Sequence, residues 1–186
     1  IAQCLVGSEM CIRDRVIERA RAAGVTHIFM PNIDSTTIEA MLSACSVYKG
    51  YCFPMIGLHP TSVNDNYEKE LEIVARELKF SKEYVAIGEI GMDLYWDKTY
   101  LKEQQIVLDK QVNWALEYDL PIVIHCRDAF DYIYKVLEPY KKTPLRGIFH
   151  SFTGTAEEAT RVLEFSDFFI GINGCLLYTS DAADEL

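Results

Sequence analysis

The chain has 186 residues, 25% of them charged, and a formal net charge of −10. A chain so acidic has no long-range field to draw in a polyanion, so any nucleic-acid contact must be local. No apolar run approaches membrane-spanning length, which argues against a membrane partner, and an apolar content of 49% suffices for one ordinary domain with a buried core.

The first and last segments stand apart. Residues 4–15 read CLVGSEMCIRDR and residues 175–186 read CLLYTSDAADEL. The codons TGT CTC TTA TAC ACA TCT spell Cys175 to Ser180. Their reverse complement, read in another frame, spells Met10, Cys11, Ile12 and Arg13. One inverted DNA element therefore accounts for both ends, and it resembles the mosaic-end adapter of transposase-based sequencing libraries. Residues 1–15 and 175–186 are expected to be translated adapter, which leaves 16–174 as the part to read for fold and function. Three cysteines lie in that part, Cys45, Cys52 and Cys126. They have no metal or disulfide spacing, which fits a reducing cytoplasm.

From residue 16 onward two textures alternate. A residual helix at 16–23 ends at Gly24, where a left-handed cap is wanted. Short apolar runs follow at 27–33, 51–58, 84–90, 120–125, 146–150 and 167–172. Longer segments with helical periodicity lie between them at 35–48, 67–80, 99–118, 128–139 and 155–165. Asp34-Ser35-Thr36-Thr37 opens the first of these, and Thr155 with Glu157 and Glu158 opens the last. Apolar strands alternating with helices predict βαβ units around a buried parallel sheet. At roughly 30 residues per unit, the spacing fits part of a (β/α)8 TIM barrel, about six strands of it.

Four of the apolar runs end in a potential ligand or acid/base group: His59, Glu89, His125 and His150. In a parallel barrel all strand C-termini meet on one face, so these side chains are expected to converge. Imidazole and carboxylate suit Zn²⁺ and related divalent ions such as Mn²⁺. A lone histidine at a strand end is usually structural. Three of the chain's four histidines at one predicted rim are hard to explain by packing.

The motifs GLHP at 57–60, GEIGMDLYWD at 88–97, PIVIHCRDA at 121–129 and FHSFTGT at 149–155 resemble, in order and spacing, the TatD family of metal-dependent hydrolases. These are TIM-barrel deoxyribonucleases of the amidohydrolase-like superfamily. The resemblance implies metal ligands at Glu89, His125 and His150, with Glu89 bridging two ions and so catalytic. It implies divalent Zn, Mn or Mg, and substrate contacts from His59 and Arg127. Asp93 would orient a neighbouring group. Trp96 would cap the barrel by packing or stack on a base, packing being the expectation. DNA or another nucleic acid would be the substrate, cleaved by metal-activated water.

The sequence also departs from the family. It holds no HxH pair, which the family carries on its first strand, and no acceptable counterpart of the Asp that ends the eighth. Ser180-Asp181 follows the run at 167–172 too closely. The chain as it stands is therefore expected to be inactive or nearly so, although the family is hydrolytic. Three other readings compete: a D-aminoacyl-tRNA deacylase, a phosphotriesterase-like ester hydrolase, and a fragment without function. The phosphotriesterase-like enzymes usually carry a carboxylated Lys where Glu89 stands. The sequence leaves the oligomeric state open.

Overall fold

The computed structural model describes residues 10–173. Six parallel strands form one sheet: β1 (Ile28–Pro31), β2 (Cys52–Ile56), β3 (Ala86–Asp93), β4 (Ile122–Arg127), β5 (Gly147–Phe149) and β6 (Phe168–Ile170). Their spatial order is β1-β2-β3-β4-β5-β6, the order of the sequence. A doubly wound sheet would reverse direction at a switch point. An uninterrupted run of neighbours is instead an arc of a (β/α)8 barrel, with β1 and β6 at its two ends among the described residues. The sequence reading of an incomplete barrel and the structure agree.

Among the described residues six α-helices alternate with the strands: α1 (Met10–Ala22), α2 (Ile38–Val47), α3 (Tyr67–Phe80), α4 (Leu101–Glu117), α5 (Phe130–Leu137) and α6 (Ala156–Val162). Helices α2 to α5 each bury several residues in the core, and α6 buries Val162. On α5 the buried residues are Phe130, Ile133, Tyr134 and Leu137, the i, i+3, i+4, i+7 positions of a single helical face. Between them lie the fully buried strand residues Ile87, Ile122 and Ile124. A smaller cluster of Leu58, Val63, Leu71 and Val107 sits beneath the loop after β2.

Helix starts follow the capping signals. Thr155 and Glu158 exchange hydrogen bonds as a capping box, with Thr155 N–H donating to Glu158 at 2.7 Å. That use of Glu158 satisfies two orphan donors of the first turn. Asp34 caps a 3-10 turn at Ser35–Thr37, so α2 itself begins only at Ile38. Gly24 has φ 82°, the left-handed value expected of a helix terminator.

Two boundaries differ from the sequence reading. Strand β3 runs on to Asp93 because its pairing with β4 continues through Asp93↔Arg127. Helix α1 begins at Met10, inside the segment read as adapter, since nothing from there to Arg15 breaks a helix. Tyr48 donates to Asp14, and the Arg21 guanidinium lies 4.5 Å from the Tyr51 ring centre. Among the described side chains of α1, Ile17 is buried and Ile12 is 43% exposed. The segment 175–186 lies outside the described residues.

Candidate metal centre

The C-terminal rim of the sheet gathers His59, Glu89 and His125. One potential ligand atom from each lies within 4.8 Å of the others. His59 follows β2 and opens a 3-10 turn at Pro60–Ser62. Glu89 sits at a bulge in β3: Gly88 pairs with Val123 and Ile90 with Ile124, leaving Glu89 as the extra residue. A bulge re-aims the side chain it carries. The Gly88–Glu89 peptide there is cis.

Gly91 lets β3 approach β4 at this point. A Cβ on it would stand 2.0 Å from the His125 carbonyl oxygen, and its φ of 137° disfavours any side chain. The same strand then places Asp93 beside the imidazole. Asp93 is 5% exposed, and its Oδ2 lies 2.9 Å from His125 Nε2. His125 is thus held between two carboxylates, with Nδ1 facing Glu89 Oε1 at 3.6 Å. That separation is too long for a hydrogen bond. It matches the ligand-to-ligand edge around a divalent ion with bonds of about 2.0–2.2 Å.

The electrostatics are those of a built charge cluster. Burial alone would raise the Glu89 pKa, but His125, His59 and His150 outweigh it and hold the carboxyl below its ordinary value. Burial would likewise lower the His125 pKa, yet Glu89 and Asp93 together raise it. His59 goes the other way, lowered to about 4 by burial and by the neighbouring His125. Its ring is therefore neutral near pH 7. Nδ1 accepts the Thr61 N–H at 3.2 Å, so the proton of the neutral ring sits on Nε2. In this arrangement His59 offers the site a hydrogen-bond donor.

Of the residues expected at the rim, His150 stays apart from this trio. Strand β5 ends at Phe149, and the chain leaves it through Ser151 with φ 49°. The His150 ring pairs with Ser151 Oγ at 2.9 Å and lines a cavity of about 300 Å³ beside Phe152 and Glu158. It remains close enough to act on the charge of Glu89. Arg127 ends β4 and stacks its guanidinium 3.9 Å from the Tyr95 ring centre. Trp96, expected to pack, is 75% exposed. Cys126 faces the same cavity as His150, but burial raises its pKa to about 12, so it is a thiol at neutral pH and no nucleophile.

Three buried amides were not singled out in the sequence. Asn32 bonds both N and O of Gly57, at 2.8 Å each. Gln111 does the same to Leu58 at 2.7 and 3.3 Å, and Gln104 to Asp93 at 2.9 and 3.2 Å. Each mimics a strand's pair of backbone bonds exactly where a site residue leaves the sheet or is about to. The signal available was the shared face of Gln104 and Gln111, seven residues apart on α4.

Comparison with known proteins fits this geometry. Residues 8–186 match the family described as TatD related DNase. The chain is 32% identical over 162 residues to a 3'-5' ssDNA/RNA exonuclease TatD of Pantoea ananatis, covering 87% of this chain and 62% of that protein. It is 35% identical over 161 residues to an uncharacterized metal-dependent hydrolase, YabD, of Bacillus subtilis, with the same coverage. It thus spans about three fifths of the length of these curated relatives. The crystal structure of YjjV, a TatD homolog from Escherichia coli K12, superposes with a TM-score of 0.81 at 28% identity, covering 92% of this chain and 66% of that one.

Proposed function

Because the chain belongs to the family of TatD-related DNases, we propose that it is the central part of a metal-dependent hydrolase that cleaves phosphodiester bonds of single-stranded nucleic acid. The observation that carries this reading is the convergence of Glu89 and His125 with a 3.6 Å gap between ligand atoms. The donor set fits a divalent cation. Glu89 and His125 would hold it, His150 is the third ligand that the family resemblance implies, and Zn²⁺, Mn²⁺ and Mg²⁺ are the candidates, two ions being expected in a full-length relative. Such an ion supplies a water of lowered pKa and neutralises charge on the reacting phosphate.

The chain's own residues do the rest. Asp93 accepts from His125 Nε2, which fixes the imidazole and leaves Nδ1 as the ligand atom. His59 donates from Nε2 to a phosphate oxygen. Its low pKa keeps that donor neutral across the physiological range. Arg127 supplies a cation near the strand that bears His125. The absent HxH and strand-eight Asp would complete the coordination and activate water, so turnover by the 186-residue chain should be weak. The Pantoea relative's name points to a 3'-5' polarity, and the present site is the part of that machinery held on β2 to β5. Among the described residues no helix is long and apolar enough to cross a membrane, and a cytoplasmic location remains part of the proposal.

The test uses a chain extended to the relatives' length with the missing elements restored, and a 5'-labelled single-stranded DNA. Shortening from the 3' end that stops with chelator, and that falls by several orders of magnitude in Glu89→Ala, is the expected result. Full activity in Glu89→Ala, or indifference to chelator, would refute the reading.

A further inference from the structure

The loop after β3 carries two large aromatics that the fold does not use. Trp96 is 75% and Tyr95 51% exposed. Their rings meet edge-on, with centroids 4.7 Å apart at 88°. The Arg127 guanidinium lies 3.9 Å from the Tyr95 centre and 5.6 Å from that of Trp96. Exposed indole contributes little to stability, because its apolar area stays in water.

This group is nonetheless fixed in place. Leu94 N–H donates to the Arg127 carbonyl at 3.0 Å, and Asp93↔Arg127 is the last register pair of β3 and β4. Asp93 Oδ1 accepts the Tyr95 N–H at 3.1 Å, while its Oδ2 meets His125. One carboxylate therefore ties the aromatic loop and the candidate metal ligand together. The loop that carries Trp96 is thereby anchored to the carboxylate that touches the candidate ligand His125.

We propose that Trp96, framed by Tyr95 and Arg127, is a stacking platform for an unpaired nucleobase of the strand presented to the metal centre. The inference rests on the nucleic-acid reading above and deepens it. A chain of net charge −10 cannot rely on a basic surface to hold a polyanion. Stacking requires no charge, tolerates any base because every base has a π-face, and is the usual device of proteins that bind single strands. Arg127 adds the cation that such platforms combine with aromatics.

The experiment titrates the 186-residue protein at low salt with two oligomers of equal length and equal phosphate count. One is oligo-dT, and the other carries tetrahydrofuran abasic residues throughout. Tryptophan emission and the anisotropy of an end label are both followed; the chain has two tryptophans, Trp96 and Trp114. Oligo-dT should quench emission, and the abasic strand should not. Trp96→Ala should weaken dT binding roughly 5- to 150-fold, the loss of one stacked base, without changing abasic binding. Trp96→Phe should recover most of the affinity. If dT and abasic strands bind alike and Trp96→Ala changes neither, the platform is wrong while the nucleic-acid reading stands. If neither oligomer binds, the platform is wrong, and the nucleic-acid reading is decided separately by the chelator-sensitive shortening assay on the extended chain.

Discussion

Each residue at the rim is held by a specific neighbour, and two of those neighbours are open to direct test. Asp93 orients His125 through a 2.9 Å contact while remaining nearly fully buried. Asp93→Asn keeps the shape and removes the charge, so Zn²⁺ affinity should fall by about 10- to 100-fold, as for other groups that orient a ligand. Isothermal titration reads this, and an unchanged affinity would remove Asp93 from the account. Gly91 is constrained by the 2.0 Å clash a Cβ would make with the His125 carbonyl. Gly91→Ala should therefore cost about 1–3 kcal/mol or more in urea unfolding and weaken the ion as well. A variant of normal stability would show that β3 can give way there. At this scale Glu89 and His125 were legible in the sequence, because each closes an apolar run. His59 was legible on the same ground and joins them at the rim, whereas the placement of His150 was not. It depends on how far β5 extends and on the left-handed Ser151, and neither is written in a strand pattern. Asp93 could be named as an orienting group, but its partner appears only when β3 and β4 are in register.

Among the elements, α4 does more than cover the sheet. Gln104 and Gln111 reach from its buried face to the backbone of Asp93 and of Leu58, one residue before His59. Replacing Gln111 by Met keeps the volume but leaves the N–H and C=O of Leu58 without partners. Each lost bond should cost about 1–3 kcal/mol, measured as a lower urea midpoint, and Gln104→Met should behave alike. Wild-type midpoints in both variants would mean the amides are incidental. The helices themselves were readable from the 3.6-residue period, and observed ends fall within a few residues of the expected ones for α3 to α6. The amides were not readable, because a glutamine on a helix normally faces water and only tertiary packing turns these two inward. The start of α1 was missed for a different reason: a segment whose DNA origin looks foreign can still have helical propensity.

At the scale of the whole molecule, the arc of six strands among the described residues exposes apolar side chains at both of its ends. Phe29 on β1 is 58% and Phe169 on β6 67% exposed, one at each edge of the sheet. Exposed apolar surface of this kind favours association. The chain should bind the dye ANS, and Phe29→Ser with Phe169→Ser should reduce that binding with little change in unfolding midpoint. Dye binding that is indifferent to both substitutions would place the apolar surface elsewhere. The order of strands was legible from the βα alternation, whereas the curvature of the sheet and the exposure of its edges follow from pairing that no local pattern encodes. The central claim is that the folded rim, through Glu89 and His125, holds a divalent ion. An ion that binds only the folded chain raises its stability, by about 2.7 kcal/mol at 100 times the dissociation constant. The direct measurement is the urea midpoint of the wild type and of Glu89→Ala across a Zn²⁺ or Mn²⁺ titration. The account predicts a midpoint that climbs with the ion in the wild type and stays flat in Glu89→Ala; equal shifts in both proteins, or none in either, would contradict it.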